Sequence, residues 1–450
     1  MSQRSKVQSL QNCDKFSFAR VGLGLLGLQS GFRRTSTIGN TWMSDQARTS
    51  AATSAEAGRT HADRTIIAAL AMSSFLGVLN NSALNPFLPD VATELNSSVP
   101  VLGQTVTIMF VLSAIIGLVA GPVADHYGHR RLLLIGMAAL IVNAIGTALA
   151  PNFALLFAVR LTGGLAGAIL AGVTLAIAGT RFQGEARRRA VSFTAASMAS
   201  APILGVPLLT LIGGGYGWRW SFLAFAVVAL IGLLIVSRAL PADPPLPEER
   251  FHPSTVLTAY KPILRHWPTL GLIVAALTRG VAWTGVITYA GAFFIDERGL
   301  STSAVGFVYT AGGAGFLIGS LTAGGRLGRY DPVWTAALTT GVSGVLFGTM
   351  FVIPSGVVLP VLSLALAGFV GAFGWVAATT LLANTSPAGA ATTMVLNGSG
   401  INMGSAGGGA IGGVLIATSG YTSVGLVLPL FAIASAVIIL LSSRERPAPA

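Results

Sequence analysis

The chain has 450 residues, 53% hydrophobic and only 9% charged, with a net charge of +12 and a mean hydropathy of +0.74. A soluble domain carries about a quarter of its residues charged, so this composition excludes a water-soluble globular fold. The apolar residues run in blocks of about twenty rather than in the alternation of barrel strands, which leaves membrane-spanning helices.

Residues 1–64 are polar and rich in Ser, Thr and Arg, the composition of a disordered cytoplasmic tail. An apolar run at 21–28 is too short to span. The chain start is expected at Met1 or at Met43. Six spans follow, at 66–88, 101–124, 132–150, 153–178, 190–212 and 220–240. A Pro-rich charged linker, 241–268, divides them from six more at 269–294, 304–325, 333–353, 357–382, 391–418 and 423–441. A short tail, 444–450, ends the chain. The expected fold is an all-α integral membrane protein, with twelve transmembrane helices in two pseudo-symmetric six-helix bundles, 65–240 and 269–443.

Loop charge orients these spans. Arg130, Arg131, Arg181, Arg187, Arg188, Arg189, Arg238, Arg250, Lys261, Arg265, Arg326 and Arg329 fall on one side, and only Arg219 and Arg298 on the other. Basic loops stay in the cytoplasm, which places both termini inside a cell inner (plasma) membrane. The positive charge is thereby read as topology rather than as a nucleic-acid footprint. The single cysteine, Cys13, allows no intrachain disulfide and no cysteine-based metal site.

Polar residues inside such spans are the functional candidates. The loop after the second span reads GPVADHYGHRRLLL from Gly121 to Leu134. Gly121 permits close packing, Gly128 a tight turn, and Asp125 can cap a neighbouring helix or pair with an arginine. Arg160 lies roughly 10 Å along the fourth span, with Gly164 one turn on. Such a guanidinium needs a partner, water or a snorkelling path to the interface. The fifth span carries Gly205 and Pro207 and ends in Gly217-Trp218-Arg219-Trp220. Asn81 and Asn85 share a face of the first span at i, i+4. Arg279 and Trp283 occupy the seventh span, Trp375 the tenth and Asn397 the eleventh. The asparagines suit interhelical hydrogen bonds as well as substrate contact.

The carboxylates sit at span ends, Asp90 and Glu94 after the first and Asp296 and Glu297 after the seventh. All five histidines lie in the tail or loops. The sequence holds no acid–base cluster, no metal-ligand spacing and no phosphate-binding Gly-Lys-Ser/Thr loop. It therefore reads as neither an enzyme nor an ATP-driven pump, and no cofactor or metal is expected.

Gly121, Asp125, Gly128, Arg130 and Arg131 resemble the second-to-third-helix signature of the major facilitator superfamily. Within it, Arg160 with Gly164 and the Gly205/Pro207 segment are most similar to the bacterial twelve-helix drug and sugar efflux group, the drug:proton antiporters, although the full fifth-helix motif is not intact. The second-half counterpart, from Gly315 to Arg329, keeps glycines and arginines but lacks the aspartate. The resemblance implies a monomer that moves a small molecule by alternating access, with proton-coupled efflux. It makes the loop motif a latch for the outward-facing state and Arg160 a coupling residue. Asn81, Asn85, Arg279, Trp283, Trp375 and Asn397 become substrate contacts by lying on cavity-lining spans. Two readings of the missing mid-span carboxylate stand: a proton carried at Asp90 or Asp125, or an electropositive cavity that takes a polar or anionic metabolite by uptake or exchange without protons.

Overall fold

An apolar backbone segment in lipid can satisfy its own polar groups only by coiling, and each of these blocks does so. The computed structural model describes residues 63–243, 253–326 and 330–443. The expected tail up to residue 62, the start at Met43, the tail 444–450, Arg250 and Arg329 lie outside the described residues. Eleven helices among the described residues are long and apolar enough to cross a membrane. The last of them, Ala390–Ser443, has 54 residues, about 80 Å at 1.5 Å per residue and far more than one bilayer. Gly420 breaks it with φ 74° and ψ −175°, so it comprises two spans.

The spans are α1 (residues 63–82, extended by a 3-10 turn Asn85–Phe87 and a short helix Leu88–Glu94), α2 (Val99–Tyr127), α3 (His129–Leu149) and α4 (Phe153–Thr180). Next come α5 (Gly184–Tyr216 overall) and α6 (Trp218–Ala239). The second half holds α7 (Trp267–Asp296), α8 (Thr302–Arg326), α9 (Pro332–Val352), α10 (Val358–Thr385), α11 (residues 390–419) and α12 (residues 421–443). A linker helix, Pro253–Arg265, precedes α7.

Prolines reshape two of the expected spans. Pro86 has no N–H to give and restricts Asn85 before it, so α1 stops at residue 82. Asn81 therefore lies at the end of the regular α-helix and Asn85 in the 3-10 turn beyond it. In α5, a π-helical turn, Ala201–Gly205, contains Pro202 and is followed by Pro207. Sharp turns need left-handed backbone at Gly128 (φ 105°) and Gly217 (φ 95°), which is where the chain places glycine.

The same helix pairs recur in both halves. In the first, α4 packs on α2 and α3, and α3 on α6; in the second, α10 packs on α8 and α9, and α9 on α12. The two bundles meet along α2–α11, α5–α8 and α1–α7. The turn glycines repeat as well: Gly217 and Gly420 lie about 200 positions apart, as do Glu94 and Asp296, the spacing of a duplicated unit.

Candidate functional site

The bundles close against each other at the charge-poor end. Tyr289 of α7 is fully buried, and its hydroxyl donates to the Gly409 carbonyl of α11 (2.7 Å). A Cβ on Gly103 of α2 would run into that hydroxyl, so glycine alone lets the seam shut. The Thr302 hydroxyl of α8 donates to Asp90 Oδ2 beyond α1 (2.9 Å), joining the halves directly. Gly291, Gly306 and Gly313 would likewise drive a Cβ into the opposite bundle. At the arginine-rich end the packing loosens. The segment Gly184–Ser200 of α5 buries only Ala190 and Thr194, although α2 still meets α11 toward this end, where a Cβ on Gly117 would stand 3.2 Å from Ser399 Oγ.

Two carbonyls freed by proline tie elements across this architecture. Pro207 cannot donate to Ile203 O, four residues back, and the Thr310 hydroxyl of α8 takes that acceptor (3.1 Å). Pro122 cannot donate to Leu118 O of α2, and the Tyr260 hydroxyl of the linker helix takes it (2.7 Å). Gly205 serves the same region by packing α5 on α1, where a Cβ would meet Leu79 at 2.8 Å.

The arginine-rich loop motif is arranged around a residue the sequence reading did not single out. Asp243, just past α6, accepts from the backbone N–H of Arg130 (3.1 Å) and Arg131 (2.7 Å), capping α3. Gly128 lies under that carboxylate and leaves no room for a Cβ. The Arg130 Nη2 donates to the Ser237 carbonyl at 2.8 Å. Asp125 stands 74% exposed, 3.2 Å from His129 Nε2, and Gly121 has open space around it. A cavity of about 250 Å³ opens beside this clasp, lined by His129, Arg130, Arg181 and Asp243 among others, and it holds none of the mid-span candidates.

At the opposite end, Arg219 explains the Gly-Trp-Arg-Trp segment. Its Nε donates to Glu94 (2.8 Å) and its Nη1 to the Ala148 (2.6 Å) and Ala150 (2.9 Å) carbonyls that end α3. Trp218 donates to the same Glu94 at 2.5 Å. In the second half, Tyr421 donates to Asp296 (2.5 Å) and Arg298 to the Ile353 carbonyl ending α9 (3.4 Å). The two clasps occupy corresponding places in the two halves.

At mid-span two arginines are buried. Arg160 is 2% exposed within the first bundle, 5.6 Å from the Phe222 ring, and its Nε and Nη2 have no hydrogen-bond partner. Gly164 abuts α2, where a Cβ would press on the Met109 carbonyl at 2.5 Å. Arg279 is 7% exposed in α7 and its guanidinium stands 4.9 Å from the centroid of Trp375 of α10. The structure thus brings two of the expected contact residues together. Trp283 packs edge-on against Phe316 (5.4 Å) and Phe347 (5.2 Å). Asn397 is buried in α11, and Asn85 is buried in the α1 extension with an unpartnered Oδ1, as is the Oδ1 of Asn81. Asn80, by contrast, is fully engaged: it donates to Gly163 O (3.0 Å) and accepts from Asn143 (2.8 Å).

The sequence matches the family model described as Major Facilitator Superfamily over residues 70–360 and 294–450. It is 25% identical to an uncharacterized MFS-type transporter, YwfA, of Bacillus subtilis (strain 168), over 80% of this chain and 87% of that protein. It is 30% identical over 158 residues to a multidrug resistance protein B homolog of Mycobacterium tuberculosis (strain ATCC 25618 / H37Rv), a match spanning 35% of this chain and 29% of that protein. Among solved structures it is similar in fold to the nucleoside transporter NupG (TM-score 0.67, 16% identity, 84% of this chain and 100% of that one). A D-xylose–proton symporter is similar to the same degree (TM-score 0.67, 16% identity, 85% and 98%). With this model matched across both bundles, the chain is a multi-pass membrane protein that belongs to the Major Facilitator Superfamily of transporters.

Proposed function

We propose that this protein exports a small molecule across the cell inner membrane by alternating access, in exchange for protons. The observation that carries the reading is the asymmetry of the seam. The bundles are shut at the charge-poor end by Tyr289, Gly103 and the Thr302–Asp90 bond, and loose at the arginine-rich end. With basic loops and both termini in the cytoplasm, this is an inward-facing state, ready to load from inside. The bundle boundaries at 65–240 and 269–443 and a monomeric unit belong to the same proposal. Asp90 is the coupling carboxylate best placed for it, because it lies on the seam that must open. The partial likeness to a multidrug resistance protein B homolog and the Arg160/Gly164 and Gly205/Pro207 positions support export.

A second reading, uptake or exchange of a polar or anionic metabolite without protons, is favoured by one observation. Among the described residues, no Asp or Glu lies at mid-span. Everted vesicles with an acid lumen decide between the two. Proton release on adding substrate, removed by Asp90→Asn, supports proton-coupled export; labelled-substrate counterflow with no proton movement supports uncoupled exchange and overturns it.

A further inference from the structure

Arg279 is the sole charged residue of α7 before its end, and its Nε and Nη1 have no hydrogen-bond partner. Asp296, the nearest carboxylate along that helix, is about five turns away and is held by Tyr421. A guanidinium buried without an acid is strongly unfavourable until an anion joins it. The guanidinium carbon stands 4.9 Å from the centroid of the Trp375 ring, so the two unpartnered N–H groups are the donors left for an anion.

Trp375 is one member of an aromatic cluster. Phe316 of α8 stands 5.4 Å from Trp283 and 6.3 Å from Trp375, ring edge to ring face. All three rings are half-buried, so each keeps uncovered surface next to an unpaired cation. The charge available is single. Every lysine lies outside the spans, at Lys6, Lys15 and Lys261, and Arg160 is enclosed in the other bundle against Phe222.

We propose that the substrate is an organic monoanion carrying a flat ring, an aromatic carboxylate or sulfonate. Its charge pairs with the Arg279 guanidinium and its ring packs against Trp283, Phe316 and Trp375. The proposal rests on the reading of the protein as a transporter, places its substrate at Arg279 and names what that position takes.

The test is equilibrium binding of radiolabelled benzoate to the full chain in lipid nanodiscs. Competitors are benzamide, benzyltrimethylammonium and phenylphosphonate. The expected result is saturable benzoate binding that benzamide and the cation displace at least about thirtyfold less well than unlabelled benzoate. Arg279→Met should weaken benzoate by about thirtyfold or more, and Trp375→Leu by about tenfold. Arg279→Lys keeps the buried charge but not the planar fork, and should give an intermediate loss in a chain that folds as the parent does. Benzoate binding that survives both Arg279 variants, a cation that binds as well as benzoate, or preferred phenylphosphonate would each overturn the monoanion. Counterflow of a cation or neutral compound, independent of Arg279, would overturn this inference and leave the transport reading standing. Arg279-dependent benzoate binding with no counterflow of any probe would do the reverse.

Discussion

Asp243 offers the most exacting test of the architecture, because sequence motif and structure point to different carboxylates. The motif places Asp125 at the loop, yet Asp125 is 74% exposed, with His129 Nε2 at 3.2 Å. Asp243 instead takes two backbone N–H groups at the start of α3. Losing a side-chain cap costs about 1 kcal/mol, and losing a negative charge at a helix N-terminus about another 1 kcal/mol when partly buried. Asp243→Ala should therefore destabilise the chain by about 2 kcal/mol. Asp243→Asn, which keeps an oxygen acceptor, should cost about half of that, and Asp125→Ala less than about 0.5 kcal/mol. Unfolding of the detergent-solubilised chain by SDS titration, followed by circular dichroism, reads all three. A loss below about 0.5 kcal/mol for Asp243→Ala, or an equal loss for Asp125→Ala, would refute the assignment of the cap.

Three further perturbations probe the seam and its struts. Gly103→Ala pushes a methyl into Tyr289. It should raise maleimide labelling of Ser303→Cys from the charge-poor face by about tenfold, and Tyr289→Phe in the same chain, which removes the hydroxyl but leaves ring carbons 2.6 and 2.8 Å from that Cβ, should reverse this only in part; unchanged labelling would show that the seam does not close there. Tyr260→Phe should cost about 1 kcal/mol in the parent and almost nothing once Pro122→Ala restores the N–H that Leu118 lacks; equal costs in both backgrounds would mean the proline is not the cause. Arg219→Ala should cost about 2 kcal/mol because it strips two α3 carbonyls of their donor, whereas Arg298→Ala, with one long bond of 3.4 Å, should cost under about 1 kcal/mol; the reverse order would contradict the geometry.

The span pattern was legible because lipid demands continuous apolar blocks, and those survive in any register. Gly128 and Gly217 were legible as turns for the same local reason: only glycine takes their φ cheaply. Arg279 with Trp375 was legible as a pair of candidates, although their stacking depends on how α7 and α10 are rotated, which hydropathy does not encode. The break of α1 at Asn85-Pro86 was written in the proline, but the i, i+4 spacing of Asn81 and Asn85 argued the other way. Asp243 was hidden because its partners lie more than a hundred positions away and are backbone groups, which leave no side-chain signature. The Asn80–Asn143 pair was missed for a similar reason. Each is an unremarkable asparagine alone, and only helix packing makes them one buried unit.

The two bundles solve one local problem differently. In the second half, α9 is capped by Asp331, which directly precedes it and accepts from Val333 and Trp334 (both 2.9 Å). In the first half, the equivalent helix borrows its cap from Asp243, beyond the last span of its own bundle. The second bundle is thus complete in sequence order, whereas the first is finished only when the stretch after α6 folds back beneath it. Two co-expressed fragments should reassemble when the cut falls at 244–252. A cut before Asp243 would strand the α3 cap on the wrong polypeptide, so the severable joint of this molecule lies several residues later than its last first-half helix suggests.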